Sequence, residues 1–238
     1  MAQSNAKPVA VVVGAGPGLG AALARRFARQ YAVAVLARGA DYLRRLAAEI
    51  RQDGGVALEV QADAAERAQV AAAFKSIREQ LGEVDVLLYN AGAGPFGSIG
   101  EVSLEQFENC LRVNAVGAFL CAKECVPAMT ARGRGVILFT GATAGVKAGP
   151  RSAAFGPANF AKRGLAQSLA RDLGPRGIHV AWINIDGVID LPNRLIPNMK
   201  KEDMLNPDAI AETYWHIAHQ DRSAWTTETQ LRPFKEKF

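Results

Sequence analysis

Short, β-branched apolar runs alternate with longer stretches of helical periodicity from one end of the chain to the other. Val9–Gly14, Val33–Ala37 and Ala57–Ala62 read as the first three strands. Val84–Gly92, Gly135–Gly141, His179–Asp186 and Thr229–Pro233 follow as four more. Between them lie segments such as LGAALARRFARQ and ERAQVAAAFKSIREQL, whose apolar residues recur at helical spacing. Strands that alternate with helices pair in parallel through right-handed crossovers, which covers both faces of the sheet. The pattern predicts an α/β fold: a doubly wound, seven-stranded parallel sheet of Rossmann type. Residues 1–238 form one domain, with no linker or repeat.

One segment, Ser152–Leu173, has a well-defined helical stripe in Ala161, Leu165, Leu169 and Leu173, with the small residues Gly164 and Ser168 beside it. Gly174-Pro175 is its stop signal. Pro157 fits a helix only in the first turn, where its missing N–H has no partner to lose, so the helix starts late or is distorted there.

Composition narrows the class. The 28 Lys and Arg against 23 Asp and Glu give a formal charge of +5, spread along the chain without a basic run. Nucleic-acid binding needs a clustered stripe, so the charge is read as a mildly basic surface suited to small anionic ligands. The N-terminal MAQSNAKP is too polar for a secretory signal, and no apolar stretch approaches the ~18 residues of a membrane span. Cys110, Cys121 and Cys125 fall in one predicted helix, which fits neither a disulfide framework nor a metal spacing; they read as reduced packing residues of a cytoplasmic protein.

The first strand runs into GAGPGLG, with Gly14, Gly16, Gly18, Leu19 and Gly20, and then directly into a helix. Glycines allow the tight turn and a close approach of backbone to a pyrophosphate, and the helix start offers N–H groups and a positive dipole end. Tight packing alone is the other reading of such a turn, but its place after the first strand of a βαβ unit favours dinucleotide binding. At the end of the second strand stands Arg38, with no carboxylate before Asp41. An arginine there suits a 2′-phosphate, and a solvated surface arginine is the alternative; NADP(H) is preferred over NAD(H).

With these residues in view, the chain resembles the short-chain dehydrogenase/reductase family over nearly its whole length. Gly14, Gly18 and Gly20 match that family's cofactor motif, Asp63 its acidic residue near the adenine, Asn90-Ala91-Gly92 the NAG after the fourth strand, and Asn114 its helix asparagine. The resemblance implies hydride transfer between a nicotinamide and a carbonyl or alcohol carbon. In the family a tyrosine passes the proton, a lysine four residues later lowers its pKa, and a serine 13 residues earlier binds the substrate oxygen. Here those positions fall on Phe155, Asn159 and Ala142. A shifted register does not restore the set, because Lys162 would need a tyrosine at the position of Ala158. Of the four, Asn114 remains; Asn159 keeps a bond to a ribose hydroxyl, and Asp186-Gly187 replaces the usual Pro-Gly beside the nicotinamide.

Three functions are compatible with this set. The first is an oxidoreductase of small carbonyl or alcohol substrates with altered acid–base groups, for which Asp186, Asp190, Lys147 and Thr143 are substitutes at strand ends. The second is a dinucleotide-binding pseudoenzyme acting as sensor or scaffold. The third is a non-redox lyase or isomerase in the same pocket. His216 and His219 share a helix face with Glu212, but with no further cluster converging on them they read as packing residues, and no metal is expected. Asp190–Asn206 resembles a trimmed substrate lid. By resemblance, a homodimer or homotetramer forms through the helices carrying Asn114 and Phe155.

Overall fold

The computed structural model describes residues 7–192, 197 and 199–235. Its strands are β1 (Val9–Val13), β2 (Ala32–Ala37), β3 (Val56–Gln61), β4 (Val84–Tyr89), β5 (Gly135–Ala142), β6 (Ile178–Ile185) and β7 (Glu228–Leu231). All pair in parallel, in the order β3-β2-β1-β4-β5-β6-β7. The chain builds outward from β1 to β3, returns to β4, and then builds the other way. This reversal leaves a crevice above the carboxyl ends of β1 and β4, where open parallel sheets take their ligands. Most strand limits agree with the sequence to within one or two residues. The fourth is shorter than its apolar run: Asn90 donates its N–H to the Val13 carbonyl at 2.8 Å, and the chain then turns into the crevice.

Alternation along each strand divides the core. Ala10, Val12, Val33, Val35 and Leu88 face α1 (Leu19–Ala28), α2 (Ala40–Gln52) and α7 (Pro207–Ala218). Val11, Val13, Ala34, Leu36 and Leu87 face α3 (Arg67–Gln80), α5 (Gly117–Arg132) and α6 (Phe155–Leu173). Strands apolar on both faces are what a parallel sheet covered on both sides requires.

Between β4 and α5 lies α4 (Leu104–Leu111), started by a reciprocal cap: Ser103 Oγ accepts from Gln106 N–H, and Gln106 Oε1 from Ser103 N–H. A π-helical turn, Arg112–Val116, carries α4 into α5. The three cysteines therefore lie along a continuous helical run, all buried with free thiols. Burial pushes the Cys121 and Cys125 thiols well up.

Helix α6 begins at Phe155, which places Pro157 in the first turn, as its missing N–H demands. Its buried face differs from the expected stripe. Ala161 is exposed, Leu165 and Leu169 are half-buried, and the core side runs through Ala158, Asn159, Lys162, Ala166 and Leu173. Lys162 lies on that core side.

Trp182 on β6 fills the space above two glycines. A Cβ at Gly141 would overlap its indole, and one at Gly145 would lie 2.8 Å from Cζ2. Gly141→Ala is expected to overpack this contact by about 1–3 kcal/mol. Thermal melting should then fall by roughly 3–10 °C for a chain of this size.

Candidate functional site

The glycine-rich turn forms one side of a cleft of about 250 Å³ at the β1–β4 crevice, bordered by Gly14, Gly16, Arg38, Asp63, Ala93 and Val113. Leu36, Ala37, Asn90, Ala91 and Gly92 also line it. Gly14 has φ +85°, and an added Cβ would come within 2.5 Å of the Ala91 nitrogen. Its N–H and that of Ala15 donate to the Leu36 carbonyl, pinning the turn across to β2. Gly20 packs over the Gly14 carbonyl, so its contact is internal: it brings α1 close to the sheet. Gly16 has open space where a side chain would stand. Helix α1 starts after Gly18 (φ +97°) with no side-chain cap; Ala21 N–H donates to the Gly16 carbonyl at 3.0 Å, which leaves the N–H groups of Leu19 and Gly20 for a ligand.

The other predicted cofactor residues divide by role. Asn90 lines the cleft but is spent on structure: Nδ2 donates to the Gly14 carbonyl at 3.0 Å, and Oδ1 accepts from Thr140 Oγ1 at 3.1 Å. Thr140 in turn shares a 2.8 Å bond with the Tyr214 hydroxyl. Asp63 closes a local turn by accepting from Ala65 N–H. Arg38 is exposed, and among the described residues its guanidinium has no acidic partner, while Asp41 is held by Arg44. Free helix-start N–H groups, a glycine facing open space and an unpaired guanidinium fit an anionic dinucleotide. Leu19 and Gly20 do not line this cleft, and Leu191 packs over Gly18.

A second cleft of about 490 Å³ lies above β5 and β6. Its walls include Ala142, Thr143, Lys147, Ser152, Phe155 and Gly187, with Phe96 tilted against Phe155 at 5.3 Å between ring centroids. Gly187 thus borders this cleft and not the first. Ala142 at the end of β5 and Phe155 at the head of α6 bring no proton to it. Lys147 is the charged side chain among its described lining residues.

Two sequence expectations are corrected. Asn159 is not directed at a ribose: it is 1% exposed, borders neither cleft, and Nδ2 donates back to the Phe155 carbonyl at 2.9 Å. A short amide inside a helix bonds readily to the carbonyl four residues earlier. Asp186 does not line the second cleft. Its carboxylate accepts from Thr143 Oγ1 at 2.5 Å and Gln230 Nε2 at 2.8 Å, and Arg232 lies 3.6 Å away. A carboxylate that accepts two hydrogen bonds beside a guanidinium is held as an acceptor. Thr143 spends its proton on that same bond, and Asp190 lies 3.7 Å from Lys201.

Asn114, in the π-helical turn, is fully buried. Its Nδ2 donates to the carbonyls of Ala93 at 2.6 Å and Cys110 at 3.0 Å. Its Oδ1 accepts from Lys162 Nζ at 3.2 Å. The expected lid lies partly outside the described residues, at 193–196 and 198; the N-terminal stretch 1–6 is outside as well. The two ends of that segment meet where Asp190 N–H donates to the Leu205 carbonyl at 2.9 Å. His219 uses Nδ1 on the Trp215 carbonyl and Nε2 on the Tyr31 hydroxyl, which makes it part of an aromatic packing cluster. Among the described residues no helix is long and apolar enough to cross a membrane. A further cleft of about 700 Å³ opens at the opposite end of the sheet, where Asp85 accepts from Val9 N–H and lies 3.5 Å from Arg132.

The family model described as short chain dehydrogenase matches residues 8–201. The chain belongs to that family. Sorbitol-6-phosphate 2-dehydrogenase of Escherichia coli (strain K12) is 34% identical over 212 residues, covering 87% of this chain and 82% of that protein. The crystal structure of a short-chain dehydrogenase from Rhodopseudomonas palustris superposes with a TM-score of 0.84 at 34% identity, over 98% of this chain and all of that one. An alcohol dehydrogenase from Thermococcus sibiricus, solved with 5-hydroxy-NADP, gives 0.88 at 28% identity, over 97% and 98% of the two chains. Short-chain dehydrogenases are oxidoreductases, and the parallel seven-stranded sheet is the architecture this chain shares with these solved neighbours.

The sequence missed Ala93, Val113, Phe96 and Ser152 as cleft walls, and Lys162 as a buried cation. Lys162 alone left a signal: it lies four residues from both Ala158 and Ala166, on one face of a helix.

Proposed function

We propose that residues 1–238 act as one NADP(H)-binding unit that takes a small carbonyl or alcohol compound beside the nicotinamide, with its acid–base chemistry impaired. When bound, the nicotinamide supplies the hydride. The turn from Gly14 to Gly20 holds the pyrophosphate, Asp63 lies toward the adenine, and Arg38 meets the 2′-phosphate. The apolar second cleft receives the organic part of the substrate. Ala142, Phe155 and Asn159 stand in this reading at the family's serine, tyrosine and lysine positions. The observation that carries it is the wall formed by Ala142 and Phe155, which offers a carbonyl oxygen no proton. A chain that binds NADP(H) without turnover is the second reading, favoured by the same wall and by Asp186 being held as an acceptor.

The Thermococcus sibiricus alcohol dehydrogenase solved with 5-hydroxy-NADP supports the choice of dinucleotide. Fluorescence titration is expected to give tighter binding of NADPH than of NADH. Arg38→Ala should weaken NADPH about tenfold and leave NADH unchanged, the scale of one charged hydrogen bond at an exposed site. Equal loss for both dinucleotides would remove Arg38 from the 2′-phosphate site. A homodimer or homotetramer is proposed through α5 and α6, supported by the exposed Val116, Phe119 and Phe160 around them. The three buried, reduced cysteines are consistent with a cytoplasmic setting.

A further inference from the structure

Lys162 is a buried ammonium that the chemistry above does not use. It is 2% exposed, in the middle of α6. Taking such a charge from water without a countercharge is costly, and an apolar side chain of similar size would normally be favoured there. The elements around it supply no carboxylate. Glu124 of α5 is bound to Arg78, and Glu228 of β7 to Arg163 and Gln167. The turn Thr143–Gly145 is uncharged, the π-helical turn presents the neutral Asn114, and α4 presents the Cys110 thiol.

What Lys162 does reach is the back of the first cleft. Its Nζ donates to Asn114 Oδ1, and Asn114 donates to the carbonyl of Ala93, which lines that cleft together with Val113. Gly92, another wall residue, would bring a Cβ within 3.5 Å of the same Asn114 oxygen. An anionic ligand in that cleft would bring the missing countercharge to the far side of one layer of backbone.

We propose that Lys162 is a positioning residue for the dinucleotide, its ammonium fixing Asn114 and the Gly92–Ala93 wall and supplying from behind the positive potential that the neutral Asn159 lacks. This rests on the reading of the first cleft as an NADP(H) site. The charge acts through a poorly screened interior, and it polarises the Asn114 bonds in the same direction.

Burial lowers the Lys162 pKa to about 8. Its folded value lies below its unfolded one, so the unfolded chain binds more protons and stability rises with pH from about 8 toward the ordinary lysine value. An anionic ligand favours the charged form, so NADPH affinity should instead fall as pH rises through about 8. A lysine that only packs would give the first trend without the second.

The test is NADPH titration by fluorescence between about pH 7 and about pH 9.5, above the 2′-phosphate transition near ~6, with thermal melts alongside. The native chain is expected to lose about tenfold in affinity over that range. Lys162→Met should bind about tenfold more weakly at the lower pH and show no alkaline loss, while its melts lose the alkaline rise. Lys162→Gln, which keeps a donor for Asn114 without the charge, should follow Lys162→Met, and it carries the comparison if the methionine variant does not fold. A native affinity independent of pH, or a folded variant binding as tightly as the native chain, overturns the proposal and leaves the NADP(H) site standing. A native chain that binds NADPH at neither pH overturns the cofactor reading and this proposal together.

Discussion

Gly20→Ala is expected to destabilise the fold by about 3 kcal/mol or more, whereas Gly16→Ala leaves stability within about 0.5 kcal/mol. Propensity alone argues the reverse for Gly20, since alanine inside a helix is worth about 1 kcal/mol over glycine. Sterics decide the sign. A Cβ on Gly20 would overlap the Gly14 carbonyl and lie 2.9 Å from Ala15 Cα, and both are backbone atoms that move only with the turn itself. A Cβ on Gly16 meets nothing within 4 Å and projects into the space kept for the ligand. Urea unfolding followed by tryptophan fluorescence measures the first effect. NADPH titration measures the second, with a loss of about tenfold or more for Gly16→Ala from one methyl group in the approach path. Equal stability of the two variants would mean that the turn is looser than its packing implies.

The largest gain in activity is expected from Ala142→Ser/Phe155→Tyr/Asn159→Lys. A general acid contributes about 10²–10⁴-fold to a proton-coupled step, and the native cleft wall offers none at Ala142 or Phe155. The three changes are needed together. Phe155→Tyr alone places a phenol of ordinary pKa near ~10 against apolar neighbours, so alcohol oxidation by that variant should appear only at alkaline pH. The burial of position 159 matters here: Asn159 folds back onto its own helix, whereas a lysine stem extends beyond it. With lysine present the phenol is drawn down, and oxidation should move toward neutral pH. Steady-state rates against pH for the single and triple variants check this. A triple variant no faster than the native chain would show that Ala142, Phe155 and Asn159 do not occupy the catalytic positions.

Much of this was legible in the sequence, for identifiable reasons. Strands apolar on both faces, separated by helical spacing, specify a covered parallel sheet almost independently of detail, and the proline at 157 fixed where α6 begins. The tight turn after β1 was legible because glycines mark backbone geometry directly. What periodicity does not report is which direction a polar residue takes when a helix buries it. Lys162 reads as surface by type and lies in the core by position; Asn159 reads as a ligand to a ribose and bonds to its own helix. Asp186 shows the same limit across the sheet, because its partners Gln230 and Arg232 lie on or beside β7, more than 40 residues away. Pairings of that kind are set by topology, and no local pattern carries them.

The central claim, a sound dinucleotide cradle beside a cleft without its usual proton donor, is tested most directly by single-turnover hydride transfer. The native chain is loaded with NADPH and mixed with a panel of aldehydes and ketones, and nicotinamide absorbance is followed beside the same experiment on the triple variant. The expected result is saturable NADPH binding with hydride loss about 10²–10⁴-fold slower than in the triple variant. Native transfer as fast as that of the triple variant would contradict the account.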